Sequence, residues 1–344
     1  MIEPQSTTSV DASLTSADVP PGSESNPAKR RQGEGSVERQ GEGQPTAGGV
    51  VLAAPRTAAK SAGPGRAPGP RIIKRGLRFG MRLAAMSADR HLAEQPGITV
   101  LGYHQVAGPV PGAVNLKAGM FAEQLDWLAC NTTVLSLSAA IDVLENPPEK
   151  ESDRPLAVIT FDDGTADFVE RAVPLLVDYN LPATLYLATA FVEEQRSFWN
   201  DGTVLSWGAL ADAVSTELID VGSHTHSHVL LDRVSSSVIN DELDRSIDLI
   251  GERLGVQAEH FAYPKALGDG VQADLAVRAR FRSAAIAGGG TNVPGIADPY
   301  RLARQPILVG DGLRWFTYKA RGGLRLEGQV REHLDRYRYR AATH

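Results

Sequence analysis

The chain has 344 residues, one cysteine, 42% apolar residues and a net charge of −6 at neutral pH. The single Cys130 excludes an internal disulfide, and the mild negative balance, with no basic stripe interleaved with aromatics, excludes nucleic acid as the expected partner. No stretch reaches the roughly 18 apolar residues that a membrane span requires.

In chain order, residues 1–70 are dominated by Gly, Ser, Pro, Ala, Gln and charged residues without sustained periodicity. Such a segment cannot bury enough surface to offset its ordering entropy, so a disordered low-complexity tail is expected there. Its opening, Met1-Ile2-Glu3-Pro4-Gln5, leads into no apolar run, so no signal peptide is expected and the cytoplasm is the expected location. A start at Met81 or Met86 would leave everything downstream whole.

Residues 71–95 form a basic linker or helix. Between Arg71 and Leu83, five basic residues alternate with Ile72, Ile73, Leu77, Phe79 and Met81 at near-helical spacing. Two readings stand: an amphipathic helix in peripheral contact with an anionic membrane, or a helix packing its apolar face on the domain. Gly76 and Gly80 weaken a free-standing helix.

From residue 96 onward, apolar runs alternate with helical patterns. Strands are expected at 98–103, 156–161, 183–188, 218–222, 260–263, 282–287 and 301–308. Helices are expected at 118–129, 168–179, 206–215, 235–254 and 271–280, the fourth capped by Ser235 and carrying Ile239, Leu243, Ile247, Ile250 and Leu254 at helical spacing. Regular alternation implies an α/β fold with a parallel sheet and right-handed crossovers. Seven strands suggest an irregular (β/α) barrel, similar to a TIM barrel but one strand short, with its site at the C-terminal mouth. The folded domain is expected at 96–310, followed by a charged C-terminal extension, 311–344.

Two strand ends carry metal-type residues. The run Ala157-Val158-Ile159-Thr160-Phe161 stops at Asp162-Asp163-Gly164, and Leu218-Ile219-Asp220-Val221-Gly222 stops at Ser223-His224-Thr225-His226-Ser227-His228. Adjacent residues of an extended chain face opposite sides, so the two aspartates share a site only if the backbone turns, which Gly164 allows. Asp-Asp-Gly alone reads equally as a helix cap. His224 and His228, read as one helical turn apart, put two imidazoles on one face with His226 opposite. With a carboxylate they suit a zinc-like divalent cation with open positions.

These motifs resemble those of the polysaccharide deacetylase family, the NodB-homology group of carbohydrate esterase family 4, over about residues 98 to 307. Thr160-Phe161-Asp162-Asp163-Gly164 is similar to its first motif and Ser223-His224-Thr225-His226-Ser227-His228 to its second. The resemblance implies Asp162 as catalytic base and Asp163, His224 and His228 as ligands of a divalent metal ion, for which the donor set points to Zn2+. Phe261-Ala262-Tyr263-Pro264-Lys265 resembles the third motif in divergent form: Ala262 stands where the family has an arginine that orients the base, and Lys265 where it has an aromatic. Arg304 is the candidate for the orienting role. Tyr263, Pro264 and Lys265 are assigned to substrate and oxyanion contact, for which the main chain at Lys265 needs no particular side chain. Tyr263-Pro264 also reads simply as a rigid turn.

After residue 300 only His333 and His344 occur, and neither follows the family's late leucine-histidine motif. Instead Ile98-Thr99-Val100-Leu101-Gly102-Tyr103-His104-Gln105-Val106 resembles the Tyr-His-x-Val segment of permuted members, which makes His104 the general acid. A buried, hydrogen-bonded histidine is its structural alternative. The expected activity is removal of N-acetyl groups from a sugar, oligosaccharide or polysaccharide, releasing acetate and an amine, with Trp199 and Trp207 available to stack on a sugar ring or to pack in the core. Two rivals stand: an O-acetyl esterase or small cyclic-amide hydrolase in the same site, and a carbohydrate-binding protein with a degenerate site.

Overall fold

The computed structural model describes residues 80, 82, 97–150, 152–198, 202–268, 270–325 and 327–328. The expected tail at 1–70, nearly all of the basic segment 71–95, Trp199, His333 and His344 lie outside the described residues.

Seven parallel strands close into a barrel: β1 (Ile98–Tyr103), β2 (Leu156–Asp163), β3 (Ala183–Leu187), β4 (Ile219–Ser223), β5 (His260–Ala262), β6 (Ser283–Ala287) and β7 (Leu302–Pro306). Each pairs with its chain neighbours, and β1 closes the ring against both β2 and β7, with Val100 opposite Val158 on one side and Arg304 on the other. The strands are apolar nearly throughout because a parallel barrel is covered on both faces. Alternation then sorts the side chains. Leu101, Tyr103, Ala157, Ile159 and Phe161 join the outer core beneath the helices, whereas Ile98, Val100, Val158, Tyr186, Ala262, Ala285 and Leu302 form a small inner cluster.

Eight helices are described: α1 (Ala118–Asn131), α2 (Leu137–Glu145), α3 (Val173–Asp178), α4 (Thr189–Glu193), α5 (Trp207–Val214), α6 (Ser236–Leu254), α7 (Val271–Arg278) and α8 (Gly312–Ala320). The caps are local chemistry. Ser136, Ser206 and Ser235 accept the N–H of Ala139, Ala209 and Val238 at the starts of α2, α5 and α6, and α6 ends on left-handed Gly255.

The structure departs from the sequence expectations in several places, among them the short helix α4, which was not anticipated. The helix expected at 168–179 begins as a π-helical turn, Phe168–Ala172, before continuing as α3. Helix α2 was not anticipated. Its Leu137, Ala140, Ile141 and Leu144 pack on the inner cluster and close the N-terminal end of the barrel. The extension after 310 is not simply a charged tail: α8 buries Trp315, Phe316 and Ala320, with Phe316 edge-on to Trp127 of α1. No described helix is long and apolar enough to cross a membrane.

Candidate active site

Asp162 lies on the inward face of β2, in step with Val158 and Thr160, and is buried. Strict alternation would send Asp163 outward. Instead its backbone is left-handed (φ 77°), and Gly164 follows at φ 109°, where a Cβ would lie 2.5 Å from Leu187 Cδ1. The turn that the sequence permits therefore occurs, and it is what turns the second carboxylate toward the histidines.

His224 and His228 do not lie on a helix. They belong to an irregular loop after β4, with left-handed residues at Thr225 (φ 64°) and His228 (φ 60°), so loop geometry rather than helical periodicity brings the rings together. Their centroids are 4.8 Å apart, nearly perpendicular, and their Nε2 atoms lie 3.9 and 3.6 Å from Asp163 Oδ1. Asp163, His224 and His228 are the one such donor cluster among the described residues. His226 is separate: its Nδ1 meets Thr189 Oγ1 at 2.9 Å.

The donor set fits a divalent cation. His224 Nδ1 lies 2.7 Å from the carbonyl oxygen of Ala262, which can only accept, so Nδ1 carries the proton and Nε2 presents its lone pair to Asp163. Burial pushes the His224 pKa down against the pull of the Asp162 and Asp163 carboxylates. It pushes that of His228 well down, helped by the neighbouring His224. Both imidazoles are thus neutral, the form that ligates. The three donor atoms lie within 4.8 Å of one another, and two imidazoles with a carboxylate make a donor set that zinc takes.

Arg304 reaches Asp162 from β7. Its Nη2 donates to Asp162 Oδ2 at 2.7 Å and its Nη1 to Oδ1, a bidentate pair buried inside the barrel. Gly102 on β1 gives the arginine its path, since a Cβ there would stand 3.2 Å from Arg304 Cδ. Burial alone would raise the Asp162 pKa; the Arg304 guanidinium, with His224 and His104, outweighs it and holds the carboxyl below the usual range.

His104 stands just beyond β1 with Nε2 3.6 Å from Asp162 Oδ2. Its side chain is partly exposed, while its Nδ1 is buried and unpartnered. The loop carrying it is tied to the aspartate motif, because Asp167 Oδ2 accepts the Val106 N–H at 2.6 Å.

The third-motif residues divide. The ring of Tyr263 packs in the core against Phe261, with Asp274, Arg301 and Arg278 as its charged neighbours, so its side chain is not part of the constellation. The main chain turns sharply through Pro264–Ala266, left-handed at Lys265 and Ala266, and Lys265 is a charged neighbour of His228. Trp207 donates its indole N–H to Glu193 at 2.8 Å and is partly buried on the core.

Residues not anticipated from the sequence include Tyr186, opposite Asp162 in the β2–β3 register with its ring 5.4 Å from the Arg304 guanidinium carbon. Glu242 of α6 accepts two hydrogen bonds from Ser227. Glu242 stands three residues after Ile239 and next to Leu243, on the buried side of α6, and that placement of a charged residue was the available signal. A cavity of about 330 Å³ opens elsewhere, lined by Ser138, Glu217, Ile219, Asp220, Glu259 and His260, and none of the acid, base or ligand candidates lines it.

Residues 149–283 match the family model for polysaccharide deacetylase. No curated protein sequence matches the chain. Among solved structures, a Streptococcus pyogenes deacetylase, PplD, in complex with acetate has a TM-score of 0.58 at 20% identity, over 66% of this chain and 99% of that one. IcaB from Ammonifex degensii has a TM-score of 0.58 at 24% identity over 66% and 98%. A de-N-acetylase from Aggregatibacter actinomycetemcomitans has 0.54 at 18% over 64% and 98%. At these identities the likeness establishes the seven-stranded barrel fold.

Proposed function

We propose that this chain, a member of the polysaccharide deacetylase family by the match over residues 149–283, removes N-acetyl groups from a sugar, oligosaccharide or polysaccharide with the help of a divalent cation, zinc by its donor set. The observation that carries this reading is the juxtaposition of two adjacent aspartates with different partners. Asp162 is locked to Arg304, while Asp163 faces His224 and His228. Deacetylase activity in the named structural relatives accords with it.

Asp163, His224 and His228 would hold the cation, which when bound would supply the Lewis acidity that lowers the pKa of water toward neutrality. Asp162 takes the proton of the attacking water. Arg304 fixes the plane of that carboxylate by its fork of two hydrogen bonds, so the acceptor is aligned before substrate arrives. The turned backbone at Lys265 presents a main-chain donor to the oxyanion. His104, at the mouth beside Asp162, delivers a proton to the departing amine, which an amide requires more than an ester because an amine anion leaves poorly. The buried Arg304–Asp162 pair also weighs against a degenerate binding protein, since it supplies the orienting arginine that the third motif lacks.

The test is acetate release from N-acetylated and O-acetylated sugars assayed side by side on the full chain, before and after chelation. Release from the N-acetyl substrate, lost with chelator and restored by zinc, is expected. Release from the O-acetyl substrate alone would move the protein to the esterases, and sugar binding without turnover would make it a binding protein.

A further inference from the structure

The two ligand histidines sit in a loop that the chain does not adopt readily. Left-handed backbone at two non-glycine residues, Thr225 and His228, persists only where the surroundings over-determine it. The surroundings here are α4, whose Ala190 N–H donates to the His226 carbonyl at 2.8 Å and whose Thr189 Oγ1 meets His226 Nδ1, and one face of α6. Glu242 Oε2 accepts the Ser227 N–H at 2.7 Å, and its Oε1 accepts the Ser227 hydroxyl at 2.6 Å. Its main-chain carbonyl accepts the His226 N–H at 3.1 Å. One turn further along, Ser246 Oγ meets Ser223 Oγ at 2.6 Å, and Ser223 Oγ accepts the Thr225 N–H at 3.2 Å. The loop is thus held between and just before its two ligands, and Glu242 is buried.

We propose that Glu242 is a positioning residue that holds the His224–His228 loop in its metal-ligating conformation. This rests on the reading of Asp163, His224 and His228 as a divalent-cation site. A carboxylate is suited to the task because Ser227 offers two donors side by side and no acceptor is required of the partner. Alanine would remove both acceptors from Ser227 and release the segment between the ligands. Glutamine would keep an acceptor for the N–H and offer an amide donor to the hydroxyl, which can itself accept.

Zinc affinity of the chelator-stripped full chain, measured by competition with a chromogenic chelator, separates this from a general structural role. Glu242→Ala is expected to weaken zinc binding by roughly 10–100-fold, the usual cost of losing an outer partner of a ligand set. Glu242→Gln is expected to restore most of the affinity. Native-like affinity in Glu242→Ala, or equal losses in the alanine and glutamine variants, would overturn the proposal. Should Glu242→Ala not fold, Ser227→Ala removes one of the two side-chain bonds and must weaken zinc binding in the same direction; unchanged affinity there would equally overturn it. His228→Ala is the control, and zinc held undiminished by that variant would overturn the cation site itself rather than the role of Glu242 alone.

Discussion

Two aspartates adjacent in sequence have been given different surroundings by one left-handed residue, and that contrast sets the predictions at the scale of single residues. Asp162→Asn should keep zinc and lose turnover, because the amide retains the shape but cannot take the proton; near-normal kcat would move the base elsewhere. Arg304→Met removes the largest of the charges that oppose the burial of Asp162, so its pKa should rise by about 1–3 units and carry the acidic limb of kcat/KM upward with it. An unmoved limb would show that Arg304 does not tune the base. The sign for stability follows from the same shift. Because the folded-state pKa of Asp162 lies below its unfolded value of about 3.9, the stabilisation from the pair is fully present above that value and is lost as pH falls through the folded pKa. His104→Ala should lose roughly 10²–10⁴ in kcat on an N-acetyl substrate and much less on an activated ester whose leaving group departs unprotonated. Equal losses on both substrates would make His104 structural.

At the scale of elements, what was legible in the sequence followed periodicity. All seven barrel strands were readable because strands covered on both faces are unbroken apolar runs, and α6 was readable from Ser235 to Leu254 because its caps and its stripe agree. The short helix α2 was not, since nine residues between the two-residue strand Thr133–Val134 and a Pro-containing loop give too brief a pattern. Its role depends on a contact no local signal carries, the fit of Ile141 and Leu144 into the end of the barrel. Ile141→Ala should therefore destabilise by about 2–5 kcal/mol in denaturant unfolding while leaving zinc affinity unchanged. A change in zinc affinity would show that the two ends of the barrel are coupled. The histidine loop was legible in content and not in shape. His224 and His228 were identifiable by type and position, but their meeting depends on backbone at Thr225 and His228 that the H-x-x-x-H spacing does not encode. Arg304 was a candidate only because the third motif lacks its arginine; the register placing it opposite Val100 is a property of the closed barrel.

At the scale of the whole molecule, the basic segment before the barrel is tied to the extension after it. Arg82 is buried, its Nε donating to Glu327 Oε2 at 2.9 Å and its Nη2 to Asp311, whose other oxygen accepts from Lys319 at 2.9 Å and from the Leu308 N–H at 2.8 Å. At Arg82 the contact with the domain is ionic, and the apolar residues on which the packed-helix reading rests, from Ile72 to Phe79 with Met81 and Leu83, lie outside the described set. Truncation distinguishes the parts. Deleting residues 1–70 should leave the melting temperature and kcat nearly unchanged, as expected of a segment without a core. Deleting 1–83 removes Arg82 and leaves Glu327 buried without that cation, which costs about 3–5 kcal/mol when one partner of a buried pair is lost. At roughly 2–4 °C per kcal/mol for a domain of this size, the melting temperature should fall by about 6–20 °C. Arg82→Met should reproduce much of that fall in the full chain, and a variant that melts with the native protein would show that the clasp contributes nothing. Binding to anionic liposomes decides the membrane reading of 71–83 separately. Binding that survives deletion of 1–70 and disappears on deletion of 1–83, while Arg82→Met still binds, would assign membrane contact to the other basic residues, Arg71, Lys74, Arg75 and Arg78. Equal liposome binding by the two truncations would remove the segment from that role.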